Sequence, residues 1–518
     1  MNAMVTMTPT QLAAQLRAQL GETAHLTMDT RQLKQGDVFL AYPVGNERQR
    51  TDNRRYIAQA LSQGASFVLY EPDALDHEVQ AMLNQQCWAI PNLAHFAGPL
   101  AHEWYGRPTE FMDVLGVTGT NGKTSVTQYL AQALNHLEQK TAVIGTLGAG
   151  FLGQLKTTGF TTPDAASNHR ICQTLHQQGA KALAMELSSH ALDQGRALGL
   201  HVKTAIITNL SQDHLDYHGT MAEYALAKRK ILDIPTINTA IINADDEFGQ
   251  SCLQYIGDRQ SQKACQVWAY ATDAKALERI ASNKDLAARY LLAQNIQLHA
   301  QGMSFALILD GKTLGRVETS LWGQFNISNL LAVAAALFAR DYSAAQVIAA
   351  LANIEAVPGR LQRVPNTAAQ QPMVLIDFAH TPDALQKVLE TLQGVAQERQ
   401  GRLCVVFGCG GDRDPLKRPL MGAIAEQYAD LVMLTSDNPR SEDPNSIIAQ
   451  IQSGIQQAER VKVNPDRATA ILQMIREAKP EDIILIAGKG HEETQEIAGQ
   501  KIPFSDYLHA QLALGGVR

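Results

Sequence analysis

Apolar and polar positions fall into short blocks along this chain, and the blocks change rhythm at two breaker clusters. Near the start, Leu12, Leu16 and Leu20 recur at i, i+4 spacing behind Thr8 and Pro9 and ahead of Gly21. Thr caps a helix, Pro suits its first position and Gly ends it, so the spacing predicts a helix. Apolar runs at 38–41, 67–70 and 88–90 predict strands, with helices over 57–61 and 93–105. Gly106-Arg107-Pro108 then breaks the pattern. Beyond it, strand-like runs at 114–118, 142–144, 183–185, 205–208 and 240–242 alternate with helical segments. That alternation predicts βαβ units and a parallel sheet. Residues 252–317 are less regular and are expected to hold an antiparallel extension. The segment 330–340 is apolar nearly all round, so its helix should be buried. After a second breaker, Val357-Pro358-Gly359, strands are expected at 374–377, 403–407, 431–435 and 483–487, with helices such as 384–395 between them.

Composition narrows the class. At about 150 residues per domain, 518 residues make three or four domains. A hydrophobic share of 45% with 18% charged residues excludes a disordered or collagen-like chain. The longest apolar run, 330–339, is half of the roughly 20 residues a membrane helix needs, so no membrane insertion is expected. The first ten residues lack a charged segment followed by an apolar one, so no secretion signal is expected. Cys87, Cys172, Cys252, Cys265, Cys404 and Cys409 are scattered and form no CxxC, which suits a reducing, cytoplasmic setting. Lys plus Arg less Asp plus Glu is 44 − 51 = −7, which argues against a nucleic-acid partner. Positive charge for small anions must then be local.

The strongest chemical signal is Gly119, Thr120, Asn121, Gly122, Lys123, Thr124 and Ser125, between an apolar strand and a helical pattern. Glycines let backbone N–H groups close on phosphate oxygens, Lys123 adds charge, and the Thr124 hydroxyl can reach Mg²⁺. Val117 occupies the place of the first glycine of the general phosphate loop. A GTPase would carry an Asn-Lys-x-Asp guanine reader, but Asn283-Lys284-Asp285-Leu286 ends in Leu. Gly408-Cys409-Gly410-Gly411-Asp412-Arg413 follows a strand but has Arg413 where a dinucleotide loop has glycine. Glu186-Leu187-Ser188-Ser189-His190 and residues 209–214 (NLSQDH) stand at expected carboxyl ends of strands. A lone Glu or His there is more often structural, but two such strings beside one phosphate loop favour a site. Glu186 and His214 are then candidate Mg²⁺ ligands.

Together these strings resemble the Mur ligases, the ATP-dependent amino-acid-adding enzymes of peptidoglycan synthesis. Residues 119–125 resemble the family's ATP loop, and 186–190 and 209–219 its central motifs. Residues 323–329 (GQFNISN) resemble its adenine-side motif. Pro358-Gly359-Arg360 and residues 377–383 (DFAHTPD) resemble the two C-terminal motifs that close on the nucleotide. Residues 407–418 (FGCGGDRDPLKR), Asp437-Asn438-Pro439-Arg440 and residues 488–492 (GKGHE) resemble the branch that adds the third residue to UDP-N-acetylmuramoyl-L-alanyl-D-glutamate. In that branch Asp-Asn-Pro-Arg marks use of meso-2,6-diaminopimelate, and lysine-adding relatives generally lack the Arg. The physics agrees: diaminopimelate has a distal carboxylate that an Arg fork pairs bidentately.

The resemblance implies an α/β, three-domain architecture. A UDP-binding α/β domain (1–107) and a Rossmann-like amino-acid domain (358–518) flank a central phosphate-loop ATPase-type parallel sheet (108–357). It implies ATP held by residues 119–125, Asn326, Asn329, Arg360 and Asp377. It implies the UDP-muramoyl dipeptide at Met28, Thr30, Thr161, Thr162, Ser188, Gln194 and Arg196, with Asn46 to Arg48 as the uracil-side segment. Diaminopimelate would meet Arg413, Asp437, Asn438, Pro439, Arg440, Gly488 and Glu492. Catalysis falls to Lys123, Glu186, His214 and Lys228, with Mg²⁺ on Thr124, Glu186, His214 and Lys228, the last as N6-carboxylysine. An acyl phosphate is the expected intermediate, in a cytoplasmic monomer. This sequence departs from the pattern at Thr30, where Ser is common, at Asn53 for Gly, at Phe160 for Asn, and in the longer 46–50 loop. A lysine-adding ligase of the same family is the alternative. A folylpolyglutamate-synthetase-like ligase would lack Asp-Asn-Pro-Arg and the first-domain region. A nucleotide-dependent scaffold without turnover is opposed by the missing guanine reader and the metal-type cluster.

Overall fold

The computed structural model describes residues 7–21, 23–259, 265–281, 286–299, 302–366, 368 and 370–515. Residues 283–285 of the guanine-reader comparison and 1–6 of the expected leaderless start lie outside these.

The first helix is Pro9–Leu20. Thr8 and Gln11 cap each other's backbone N–H groups, and Gly21 leaves the helix at φ +72°. Leu12 and Leu16 pack on Ala97, Leu100 and Ala101 of helix Leu93–Trp104. Behind them lies a parallel sheet in the order Leu26–Thr27, Val38–Ala41, Phe67–Tyr70, Cys87–Ala89.

Across the turn at Pro108 the second sheet begins. Among the described residues it has ten strands. Seven run parallel in the order Thr141–Gly145, Ala182–Glu186, Asp113–Thr118, Thr204–Ile207, Thr239–Asn243, Gln266–Ala271, Ala288–His299. Gly302–Leu309 and Lys312–Thr319 add the expected antiparallel extension, and Gly148–Phe151 closes the other edge. The extension starts later than the irregular sequence suggested. Helix Glu247–Gly257 and strand Gln266–Ala271 still belong to the parallel alternation.

Helix Gln324–Phe338 fills the space between the sheet and helix Lys123–His136, and residues 330–337 are buried without exception. Each such Leu or Val contributes about 1.5–3 kcal/mol relative to an exposed one. The helix begins six residues before its apolar run. Asn326 and Asn329 are buried on its first two turns as polar groups, which apolar periodicity does not reveal.

The third sheet runs Gln362–Val364, Met373–Asp377, Ile483–Ala487, Leu403–Phe407, Leu431–Leu434, Val461–Val463, parallel except for its first strand. The chain steps outward from Leu403–Phe407 and returns to insert Ile483–Ala487. The carboxyl ends of Met373–Asp377, Leu403–Phe407 and Ile483–Ala487 therefore border a switch point, where open α/β sheets place ligands. Among the described residues no helix is long and apolar enough to cross a membrane.

Candidate active site

Strand Asp113–Thr118 delivers the phosphate loop and helix Lys123–His136 leaves it. Gly119 has φ +152° and Gly122 +87°, and a Cβ on Gly119 would lie 1.9 Å from Thr208 Oγ1. Only glycine lets the loop close this tightly on its neighbour strand. The loop is tied down by Thr208 Oγ1 donating to Asn121 O (2.6 Å) and Asn121 N donating to Asn209 Oδ1 (2.9 Å). Lys123 Nζ folds back to donate to Gly119 O and Thr120 O, both at 2.9 Å. Burial pushes its pKa down, against the pull of Glu186. The ammonium rests where a phosphate oxygen would draw it out.

Glu186 ends strand Ala182–Glu186 beside the loop and is buried. Its carboxylate accepts from Thr124 Oγ1 (3.1 Å), Thr146 Oγ1 (3.0 Å) and Thr146 N (2.8 Å). Lys228, on helix Met221–Arg229, is only 1% exposed. Its Nζ donates to Gly119 O at 2.7 Å and lies 4.4 Å from the Tyr224 ring centroid. Burial and the nearby Lys123 depress its pKa far below the usual lysine range, with Asp213 only partly opposing. His214 sits at φ +54°, with its ring 3.4 Å from Asp213. Burial lowers it to about 4, while burial and His214 lower His190 to about 3. Asp213 is pushed up by burial, but His214, His380 and Lys417 outweigh this and hold it at about 2.

Thr124, Glu186, His214 and Lys228 all face one cavity of about 1110 Å³. Among the described residues no group of three His, Cys, Asp or Glu side chains gathers as a metal site. The donor set fits a hard divalent cation only with one more anionic oxygen. Lys228 stands at that place with its pKa pushed far down by burial, and a carbamate on it would supply that oxygen.

The same cavity receives groups from the third sheet. Arg360 reaches across to donate to Thr124 Oγ1 (3.3 Å) and lies 4.6 Å from the Phe378 ring. Asp377, at its strand end, accepts from Leu361 N and Ala379 N, both at 2.7 Å, and burial raises its pKa. Asn121 Nδ2 donates to Asp383 Oδ2 at 3.1 Å, a second tie between the sheets. Asn329 lines the cavity, and a Cβ on Gly122 would lie 2.7 Å from its Oδ1. Asn326 does not line it. Its amide is used inside, donating to Trp322 O (2.7 Å) and accepting from Tyr129 OH (3.0 Å) and Asn329 Nδ2 (3.3 Å). It orients Asn329 because a buried amide must be satisfied.

At the switch point, Asp437, Asn438, Arg440, Gly488, Glu492 and Arg413 open on the same cavity. Pro439 does not line it and instead shapes the loop, with its carbonyl accepting from Glu442 N at 2.9 Å. Arg440 has φ +51°; its Nη1 donates to Gly411 O (2.7 Å), and its Nε lies 3.6 Å from Glu496. Arg413 is exposed and donates to Asp412 O at 3.2 Å. A residue the sequence reading passed over is Lys489, fully buried within the 488–492 string. Its Nζ donates to Asn438 Oδ1 (2.9 Å), Glu492 Oε2 (2.8 Å) and Thr494 O (2.8 Å). Its place between two glycines was the only available signal.

A second cavity, of about 960 Å³, lies between the first and second sheets and is lined by Met28, Thr30, Asn53, Phe160, Arg170 and Arg196, among others. Thr161 and Ser188 open on the larger cavity, so the two meet at residues 160 and 161. Thr162 is buried and links Glu186 O (2.8 Å) to Ser188 N (3.1 Å). Gln194 Oε1 holds the Arg196 fork at 2.9 and 2.6 Å. Asn46 to Arg48, the expected uracil-side segment, are not among the residues lining this cavity. Asn46 donates to Tyr217 O (2.9 Å) and Arg48 to His218 O (3.0 Å), so this longer loop clasps the 209–219 segment instead. Its extra length lets it cross to the second sheet, leaving Thr51 and Asn53 on the cavity wall.

Comparison with known proteins agrees with this arrangement. Residues 117–337 match the model of the Mur ligase middle domain, and 359–490 that of the Mur ligase glutamate ligase domain. The chain is 47% identical over 502 residues to a UDP-N-acetylmuramoyl-L-alanyl-D-glutamate--2,6-diaminopimelate ligase of Ralstonia nicotianae, covering 96% of this chain and 94% of that one. It is 42% identical to the Pseudomonas aeruginosa enzyme of the same name, covering 94% of each. A solved structure of a ligase of that name aligns with TM-score 0.63 and 32% identity over 95% of this chain and 94% of that one. Thermotoga maritima MurF in complex with ADP shares the fold, with TM-score 0.58 and 17% identity over 95% of this chain and 97% of that one.

Proposed function

This chain belongs to the Mur ligase family, and we propose that it joins meso-2,6-diaminopimelate to the D-Glu γ-carboxylate of UDP-N-acetylmuramoyl-L-alanyl-D-glutamate, driven by ATP. One observation carries the reading: the phosphate loop, Glu186 and Lys228 share a single cavity with Arg413, Arg440 and Glu492 from the third sheet. A nucleotide and a dicarboxylic amino acid can thus meet a third reactant there.

ATP lies with its phosphates on residues 119–125 and its adenine beside Asn329. Lys123 leaves its two loop carbonyls for phosphate oxygens, and Arg360 brings a second cation from the third domain. Thr124, Glu186, His214 and Lys228 as N6-carboxylysine would hold Mg²⁺, which when bound neutralises phosphate charge. The D-Glu carboxylate attacks the γ-phosphorus, ADP leaves, and an acyl phosphate forms. Two anions approach in that step, so Lys123 and Arg360 act where charge accumulates. The free amine of diaminopimelate then attacks the acyl carbon, phosphate departs with the bonding pair, and the nitrogen loses its proton. Arg413 and Arg440 pair with carboxylates of the amino acid, and Glu492 with an ammonium. Met28, Thr30, Thr161, Ser188 and Arg196 hold the UDP-muramoyl dipeptide across the junction of the two cavities. Closure of the third domain excludes water, which would hydrolyse the acyl phosphate.

We assign the domains as 1–107, 108–357 and 358–518, and the enzyme as a cytoplasmic monomer, since ATP and nucleotide-sugar chemistry are cytoplasmic and groups from all three sheets already meet at two connected cavities. The test is phosphate release from ATP with UDP-muramoyl dipeptide, adding meso-diaminopimelate, lysine or glutamate in turn. Release only with diaminopimelate is expected. Release indifferent to the amino acid removes the ligase reading, and preference for lysine removes the Arg440 assignment.

A further inference from the structure

Helix Arg467–Glu477 starts with a residue that helix starts disfavour. Arg467 is a cation at the positive end of a helix dipole, and its side chain is fully buried. Burying a guanidinium is costly unless its donors are met. Here Nε and Nη2 form a two-pronged bond to Asp506, at 2.7 Å each. Nη2 also donates to Ala487 O at 2.8 Å, and Nη1 to Ser436 O at 3.3 Å. Asp506 is equally buried and opens the last helix, Asp506–Ala513.

Those two carbonyls precede Gly488 and Asp437 directly. Ala487 ends strand Ile483–Ala487, and Ser436 follows strand Leu431–Leu434. The two strands are not neighbours, because Leu403–Phe407 lies between them. One guanidinium therefore spans the intervening strand and ties the loop of Asp437 and Asn438 to the loop of Gly488 and Glu492. The joint is tight: a Cβ on Gly488 would lie 2.5 Å from Asp437 Oδ2. Asn438 Nδ2 donating to Glu492 Oε2 (2.8 Å) and Gln495 Nε2 donating to Asp437 O (2.7 Å) reinforce the same bridge.

We propose that Arg467 is a positioning residue for the amino-acid half of the reaction, fixing the spacing between the Asp437–Asn438 loop and the loop that presents Glu492. This rests on the reading that this end of the cavity takes diaminopimelate. Arg467 touches no substrate and acts through two backbone carbonyls.

A merely structural arginine would lower the folded fraction and leave the affinities of the folded enzyme unchanged. A positioning arginine raises KM for diaminopimelate selectively. Buried ion pairs are often replaceable by apolar residues without loss of stability, so the double variant Arg467→Met with Asp506→Leu removes the carbonyl bonds while filling the core. Arg467→Lys keeps the charge without the planar fork. Asp506→Asn keeps the shape and loosens the fork. In the full-length enzyme, phosphate release is measured while diaminopimelate, ATP and UDP-muramoyl dipeptide are varied in turn. The ratio of KM for diaminopimelate to KM for ATP should rise about tenfold in Arg467→Lys and in the double variant, and about threefold in Asp506→Asn. An unchanged ratio in the variants that turn over, or a parallel rise of both constants, overturns the proposal. If the first two variants do not fold, Asp506→Asn decides by the same ratio. A wild-type enzyme indifferent to diaminopimelate would instead overturn the underlying functional reading.

Discussion

Lys228 in the second sheet's domain and Lys489 in the third are both buried almost completely, at 1% and 0% exposure, yet their surroundings are opposite. Lys489 is met by a carboxylate, an amide oxygen and a carbonyl, so its charge is matched where it sits. Lys228 has one carbonyl and an aromatic face, with a second lysine nearby and His214 held neutral beside it. A buried cation normally finds a counter-charge or loses its proton. Lys489 does the first and serves as a brace; Lys228, with its pKa pushed far down by burial, is driven toward the second. Burial alone therefore does not identify a functional lysine, whereas the partner count does.

The largest test of this contrast is Lys228→Ala. Turnover should fall by about a thousandfold, the scale of losing a group that acts on developing charge, and recover in part with added short carboxylates. Unchanged turnover takes Lys228 out of the site. Lys489→Met should instead act on geometry. It frees Glu492 and Asn438 and should raise KM for diaminopimelate about thirtyfold, with KM for ATP within twofold and no rescue by carboxylates. Rescue there would erase the distinction between the two lysines.

Acidification probes the neutral surroundings of Lys228. His190 titrates at about 3 when folded, against about 6.5 when unfolded. Above pH 6.5 neither state binds the proton. As pH falls from 6.5 toward 3 the unfolded state gains it first, so stability is lost in that window. The loss at pH 5 is on the order of 2 kcal/mol. Other buried histidines, His214 and His169 among them, lose stability over the same window, so the gap between urea midpoints at pH 7 and pH 5 should narrow in His190→Gln without closing, and an undiminished gap in that variant counts against the account. The smallest effect is expected at Arg440→Lys, whose fork gives way to a point charge. Preference for diaminopimelate over lysine should shrink about tenfold, read as a ratio of kcat/KM values.

Much of the fold was legible because apolar spacing is set by local geometry. Helix Pro9–Leu20 follows from Thr8, Pro9 and Gly21, and strands Val38–Ala41, Phe67–Tyr70 and Leu403–Phe407 match their apolar runs residue for residue. The phosphate loop was legible because glycine positions encode backbone conformation. Polar groups that act from inside were not. Asn326 and Lys489 each complete a set of near neighbours with one partner far away in sequence, Tyr129 and Asn438, and Arg467 resembles any helix arginine until Asp506 and two strand ends surround it.

By itself the sequence determined the elements, the two breaks in rhythm, the loop for phosphate and the family to which these strings belong, since all depend on neighbours a few residues apart. Tertiary structure alone decided that Asn46 and Arg48 clasp the second sheet rather than line the first cavity. It also decided that Lys228 has no ion pair among the described residues while Lys489 has one, and that Arg467 links two strands that are not adjacent. Charge state and orientation are fixed by solvent exclusion and by partners brought together only when the sheets pack, and neither quantity is written in local sequence.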